Sequence, residues 1–176
     1  EDGYAHVSKK GEEGVINTKG KVVVDTDYDD VGTLTEGLYR VQKNDEYGFV
    51  NEKGKEVIDT DYDYAGYFTE DGLAVIRDGD EYGYINKKGK VVIKADFDDA
   101  EGFADGYAIV KDGDEYGLIN KKGKFVIKPE YSDMDYIGEG LYAVKKDADD
   151  EWGIVNRKNK EVVKADYSNI GTINHG

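Results

Sequence analysis

Tyr82-Gly83-Tyr84-Ile85-Asn86-Lys87-Lys88-Gly89-Lys90-Val91-Val92-Ile93 is the stretch on which the fold turns. Aromatic and β-branched residues favour strands, and a glycine-bearing basic turn between two such runs reads as a hairpin. Working outward, Leu73-Ala74-Val75-Ile76 is a further apolar strand, joined by the polar turn Arg77-Asp78-Gly79-Asp80-Glu81. Downstream, a loop of about twelve residues, from Asp96-Phe97-Asp98-Asp99 to Asp105, leads to Gly106. One unit therefore reads as three short antiparallel strands and a loop.

The same unit recurs along the chain. Tyr47-Gly48, Tyr82-Gly83, Tyr116-Gly117 and Trp152-Gly153 repeat the aromatic-glycine pair, with Glu13-Gly14 in a divergent first copy. Three residues after each glycine stands Asn17, Asn51, Asn86, Asn120 or Asn156. Three further on come Gly20, Gly54, Gly89 and Gly123, then Asn159. A loop aromatic follows (Tyr28, Tyr62, Phe97, Tyr131, Tyr167), and six residues later an apolar partner (Leu34, Phe68, Phe103, Ile137, Ile173). The units restart at Gly37, Gly72, Gly106, Gly140 and Gly176, after Gly3 opens the first. A fixed period of about 34 residues is the signature of a repeat architecture. The expected fold is all-β: five tandem three-stranded antiparallel hairpin repeats, units 3–36, 37–71, 72–105, 106–139 and 140–175, in a single repeat domain over 1–176.

Three local expectations follow. The second-turn glycine needs positive φ, and Asn159 is the residue that best tolerates that conformation in its place. The glycine inside the aromatic-glycine strand marks a close approach, with a neighbouring ring packed over it. One hairpin unit cannot bury its face alone, so the loop aromatic and its partner cover the next hairpin and neighbours complete each core.

The segment Tyr82-Gly83-Tyr84-Ile85-Asn86-Lys87-Lys88-Gly89-Lys90, together with Trp152-Gly153-Ile154-Val155-Asn156, resembles the WG-type (WG-containing, or KWG) repeat family of bacterial proteins. The resemblance covers nearly the whole chain, although only the fifth copy has the tryptophan. It implies a repeat architecture without a settled shared activity, so it hands over no catalytic residues; a bacterial protein, at the cell surface or secreted, is the expected setting. Three strands per unit, and no unit divided between the termini, favour an open twisted solenoid-like array over a five-bladed β-propeller. The chain begins without Met and ends where a sixth unit would start, so a segment of a longer protein is expected.

Composition narrows the function classes. Net charge is −15, with 39 acidic and 24 basic residues. That charge repels nucleic acid and anionic membranes, and no apolar run approaches membrane-spanning length. There is no cysteine, hence no disulfide framework or thiolate metal site. His6 and His175 stand near the two ends, and nothing in the spacing of His6 and Ser8 orients a catalytic triad. No phosphate loop or dinucleotide fingerprint appears, so an enzyme is the least expected class.

Three features are candidates for binding. Asp25, Asp27, Asp29 and Glu36, and again Asp59, Asp61, Asp63 and Glu70, stand at the first, third, fifth and twelfth positions of an EF-hand-like loop. Asp30 and Tyr64 occupy the sixth position, where that loop needs glycine, and no flanking helices are predicted. Calcium is the one cofactor these residues suggest. Second turns are basic and most first turns acidic, so each unit has oppositely charged ends, and Lys88 and Lys122 lie on the basic one. Tyr39, Tyr107 and Tyr142 recur in their own register and are expected to be partly exposed, whereas the loop aromatics read as core. The leading expectation is a non-catalytic protein-interaction or spacer module. The competing one is a glycan- or Ca²⁺-binding surface module.

Overall fold

The computed structural model describes residues 3–173; His175 and the restart glycine Gly176 lie outside the described residues. Among the described residues the chain is strand and turn, with no helix. The first sheet is a three-stranded antiparallel meander of β1 (Tyr4–Lys9), β2 (Glu12–Asn17) and β3 (Val22–Tyr28). The second holds β4 (Asp30–Thr35), β5 (Leu38–Lys43), β6 (Glu46–Asn51) and β7 (Glu56–Tyr62). The third holds β8 (Tyr64–Ala65), β9 (Leu73–Asp78), β10 (Glu81–Asn86) and β11 (Val91–Phe97). The fourth holds β12 (Asp99–Ala100), β13 (Tyr107–Asp112), β14 (Glu115–Asn120) and β15 (Phe125–Tyr131). The fifth holds β16 (Asp133–Gly138), β17 (Leu141–Lys145), β18 (Trp152–Asn156) and β19 (Glu161–Tyr167).

The five-unit antiparallel reading holds, and the structure adds a strand to it. Sheets two to five each carry a fourth strand, drawn from the segment that reads as a loop. That strand precedes the three visible ones and pairs forward, with Val31 opposite Val41, Ala65 opposite Ile76 and Met134 opposite Val144. Buried side chains anchor it in three copies, where Val31 is 4% exposed, Ala65 0% and Met134 2%; Ala100 in the fourth sheet is only half-buried. β8 and β12 are only two residues long, too short to show a period of two.

The chain divides into two compact units, Glu1–Ala95 and Asp96–Gly176. In the first, Val15, Val24, Val31, Tyr39, Val41 and Val50 form one buried cluster. Leu38, Phe49, Ile58, Phe68, Ile76 and Ile85 belong to a second. Alternate residues of β5 and β6 thus point into different cores. Their strands read as near-continuous apolar runs because both faces of the sheet are covered. In the second unit, Leu118, Ile127, Met134, Tyr142 and Val144 belong to one cluster spanning the fourth and fifth sheets. Each core lies between consecutive sheets, as the stacking requirement demands.

Candidate interaction surface

The repeated asparagine builds the second turn. In each copy its side-chain oxygen accepts two backbone N–H groups, from Lys88 (2.9 Å) and Lys90 (3.2 Å) for Asn86, and from Lys53 and Lys55 for Asn51. Its carbonyl accepts from the turn glycine, Gly89 N–H at 2.9 Å. Gly89 has φ 74°, and Asn159 in the fifth copy has φ 57°, the left-handed conformation expected at this bulged hairpin loop. The lysines are therefore presented by a turn whose own hydrogen bonds are met locally.

The aromatic-glycine pair faces a bulge, which corrects one expectation. Between Tyr47↔Tyr62 and Phe49↔Ile58, β7 carries extra residues opposite Gly48. A Cβ on Gly48 would stand 2.6 Å from the Ile58 carbonyl oxygen, and one on Gly83 2.5 Å from the Ala95 nitrogen. The close neighbour is the backbone of the next strand and not a ring. The ring beside the glycine lies instead under a cation from the preceding strand: Arg40 over Tyr47 (5.2 Å), Lys111 over Tyr116 (5.5 Å), Lys145 over Trp152 (5.2 Å).

In the first unit this pattern widens into an aromatic row. The rings of Tyr47 and Tyr64 are 6.0 Å apart and those of Tyr64 and Tyr82 6.3 Å, both edge to face. Arg40 also lies 4.5 Å from the Tyr67 ring, donates to the Ala65 carbonyl at 3.2 Å and pairs with Asp30 at 3.6 Å. Gly32 leaves room for Tyr67, since a Cβ there would meet its hydroxyl at 2.6 Å. Tyr64 and Tyr67 are each 37% exposed. Sequence reasoning missed this patch. The available signal was that Tyr64 departs from its copies Asp30, Asp99 and Asp133.

The other residues singled out in the sequence go to separate places. Tyr39 and Tyr142 are 1% and 2% exposed, so the expectation of outward rings is wrong for both. They lie on strands buried on two faces, each within a core cluster. Tyr107 is half-buried beneath Arg157 at 4.8 Å. Lys88 and Lys122 are exposed, but the basic turns are interrupted, because Lys87 pairs with Glu36 at 2.6 Å and Arg157 with Asp105 at 3.0 Å. Glu13 is more than a surface residue of a terminal copy, since it accepts the Val31 N–H at 3.2 Å.

The acidic loop residues do not converge. Among the described residues no three of His, Cys, Asp or Glu group as metal ligands. Asp29 accepts the Asn44 N–H at 2.7 Å and Asp63 the Gly79 N–H at 2.8 Å; Asp98 accepts the Gly113 N–H in the same way. These aspartates hold first turns. The EF-hand-like spacing reflects that structural period. Asp25, Asp27, Asp59, Asp61 and Glu70 are exposed, and Glu36 is engaged by Lys87. Asp59 and Asp61 lie with Tyr62, Asp78 and Lys88 around a groove of about 460 Å³.

The loop aromatics range from core to surface: Tyr131 is 9% exposed, Phe97 8% and Tyr167 53%. Burial, then the carboxylates of Asp78 and Asp61, raise the Tyr62 hydroxyl above its ordinary value. Burial raises Tyr142 to about 12 against the opposing pull of Arg157. Glu101 keeps an exposed edge, yet desolvation of its carboxyl, then Asp135 and Asp99, raise it to about 7.

The antiparallel three-strand meander and the asparagine turn recur in every copy, which defines a tandem β-repeat protein. The WG containing repeat matches at residues 14–47, 47–82, 82–116, 116–148 and 152–176, and the chain belongs to that family. Among solved structures it is similar to Hsv2 of Kluyveromyces lactis, at 13% identity and TM-score 0.55, over 92% of this chain and 59% of that one. It is similar also to a eukaryotic initiation factor, at 8% identity and TM-score 0.64, over 95% of this chain and 53% of the other. These are β-propeller-like proteins, and the likeness is one of fold. The chain thus spans between half and two thirds of their length. No curated protein matches it in sequence.

Proposed function

We propose that this chain is a non-catalytic protein-binding module whose principal contact surface is the Tyr47–Tyr64–Tyr82 row with Arg40 and Tyr67. One observation supports this above the rest: tyrosines and an arginine, the residue types that dominate interface energetics, are contiguous and half-exposed on the second and third sheets. Arg40 holds Tyr67 in place, so the patch is preorganised and loses little side-chain entropy on binding. The glycan reading has less support, because most of the loop aromatics that would form a sugar platform are packed inward.

The test is a photo-crosslinking amino acid placed at Tyr64 or Tyr67 in the producing cell, with Val162 on β19 as control. Discrete protein adducts from the two tyrosine positions and none from Val162 support the reading. Absence of adducts at both, or the same adducts at Val162, overturns it, and glycan-array binding lost on Tyr64→Ala transfers the surface to the carbohydrate class.

A further inference from the structure

The groove at Tyr62 becomes legible when the copies are laid over one another. In the first four copies the loop aromatic of one sheet is followed by a residue at the strand end before the first turn of the next sheet. These pairs are Tyr28 with Lys43, Tyr62 with Asp78, Phe97 with Asp112, and Tyr131 with Lys146. Register confirms the equivalence, since Lys43, Asp78 and Asp112 are each the last residue paired before the first turn. At two of these places the chain supplies its own cation. The Lys43 ammonium lies 5.8 Å from the Tyr28 ring centroid, and that of Lys146 lies 5.3 Å from Tyr131. At a third, the void is filled by a ring: Phe97 packs edge to face on Phe125, 6.1 Å away, and is buried.

At Tyr62 neither device is present. Asp78 stands where the lysine would be, and Val91 where Phe125 would be. Val91 turns outward, 48% exposed. The groove there measures about 460 Å³, lined by Ile58, Asp59, Asp61, Tyr62, Asp78 and Lys88, against about 220 Å³ beside Tyr131 and Lys146. Three carboxylates face it against one ammonium, beside a tyrosine ring and apolar stems. An ammonium over a tyrosine face with carboxylates around it is the arrangement the chain builds internally at Tyr131, where Glu130 holds Lys146 at 2.8 Å.

We propose that the Tyr62 groove takes a lysine side chain from a basic segment of a partner protein, its ammonium seated where Lys43 and Lys146 sit in the sister copies. The proposal rests on the protein-binding reading above and gives it a partner chemistry. Lysine is the chosen occupant because the chain's two filled copies use lysine, and because the groove's charge is complementary to it.

The experiment is an amide-resolved NMR titration of the full chain with a tetralysine peptide at low ionic strength, where surface charges are least screened. Saturable shifts centred on Tyr62, Asp78 and Lys88 are expected. Asp78→Lys should refill the groove, keep the fold and weaken binding roughly tenfold, with Asp61→Asn weakening it less. A tetra-acetyllysine peptide should not bind. Several results overturn the proposal: shifts spread evenly over every acidic turn, undiminished affinity in whichever variant remains folded, binding of the acetylated peptide, or shifts that grow with protein concentration alone. The last would make a second copy the occupant. Adducts at Tyr64 and Tyr67 do not depend on this groove, so their persistence after a failed titration would spare the binding-module reading.

Discussion

At the scale of the residue, the most constrained position is the glycine after the aromatic. The sequence marks Gly83 as a close approach. Only the structure shows that the neighbour is the backbone of β11, 2.5 Å and 2.8 Å from where a Cβ would stand. Gly83→Ala should cost about 2–3 kcal/mol, because a backbone neighbour cannot step aside as a side chain can. Gly79→Ala, in open space with φ 66°, should cost only about 1 kcal/mol. Urea denaturation of both variants checks the ordering, and equal losses would remove the steric account. Glu101 provides a pH test. Its folded-state pKa of about 7 lies above its ordinary value, so the folded state holds a proton that the unfolded state releases earlier. Stability is therefore unaffected by this group at acid pH, falls as pH rises from the ordinary carboxylate range to about 7, and stays reduced above it. Glu101→Gln should match the parent at pH 4 and exceed it in melting temperature at pH 8. A constant difference across that range would place the effect elsewhere.

At the scale of the element, side-chain hydrogen bonds fix the second turn of every sheet and the first turn of sheets two to four. The second turn carries its asparagine, which the sequence displays in all five copies. The first turn is held from a distance of about fifteen residues along the chain, by Asp29, Asp63 or Asp98. Sequence reading made two of those aspartates candidate calcium ligands, because a carboxylate recurring at fixed spacing looks the same in either role. Asp63→Ala should cost about 1 kcal/mol and Asp63→Asn less, since the amide keeps an acceptor for the Gly79 N–H. Hydrogen exchange at Gly79 reads this directly, and an unchanged rate in Asp63→Ala would show that the bond does not hold the turn. The fourth strand is the element that sequence could not display. Its short copies offer at most one buried residue, Ala65 in β8 and none in β12, and their pairing partners lie in the next repeat.

At the scale of the whole molecule, a net charge of −15 sets the solution behaviour. Like-charge repulsion opposes the compact state and is screened by salt, so the melting temperature should rise between 10 and 150 mM NaCl. CaCl₂ at matched ionic strength should raise it no further, because the candidate ligands do not converge. A calcium-specific increase in calorimetry would contradict that geometry. The repeat period, the strand class, the positive-φ turn and its asparagine substitute were all determined by sequence. They are local rules, and five copies average away the noise. What the tertiary structure alone decided are relations between copies. It buried Tyr39 and Tyr142 on two-faced strands and paired each short fourth strand forward. It set Tyr47 and Tyr67 against Arg40 and Tyr64 between Tyr47 and Tyr82, and opened a groove beside Tyr62. A side chain's exposure depends on which neighbour the next sheet sets against it, and a single repeat carries no record of that neighbour.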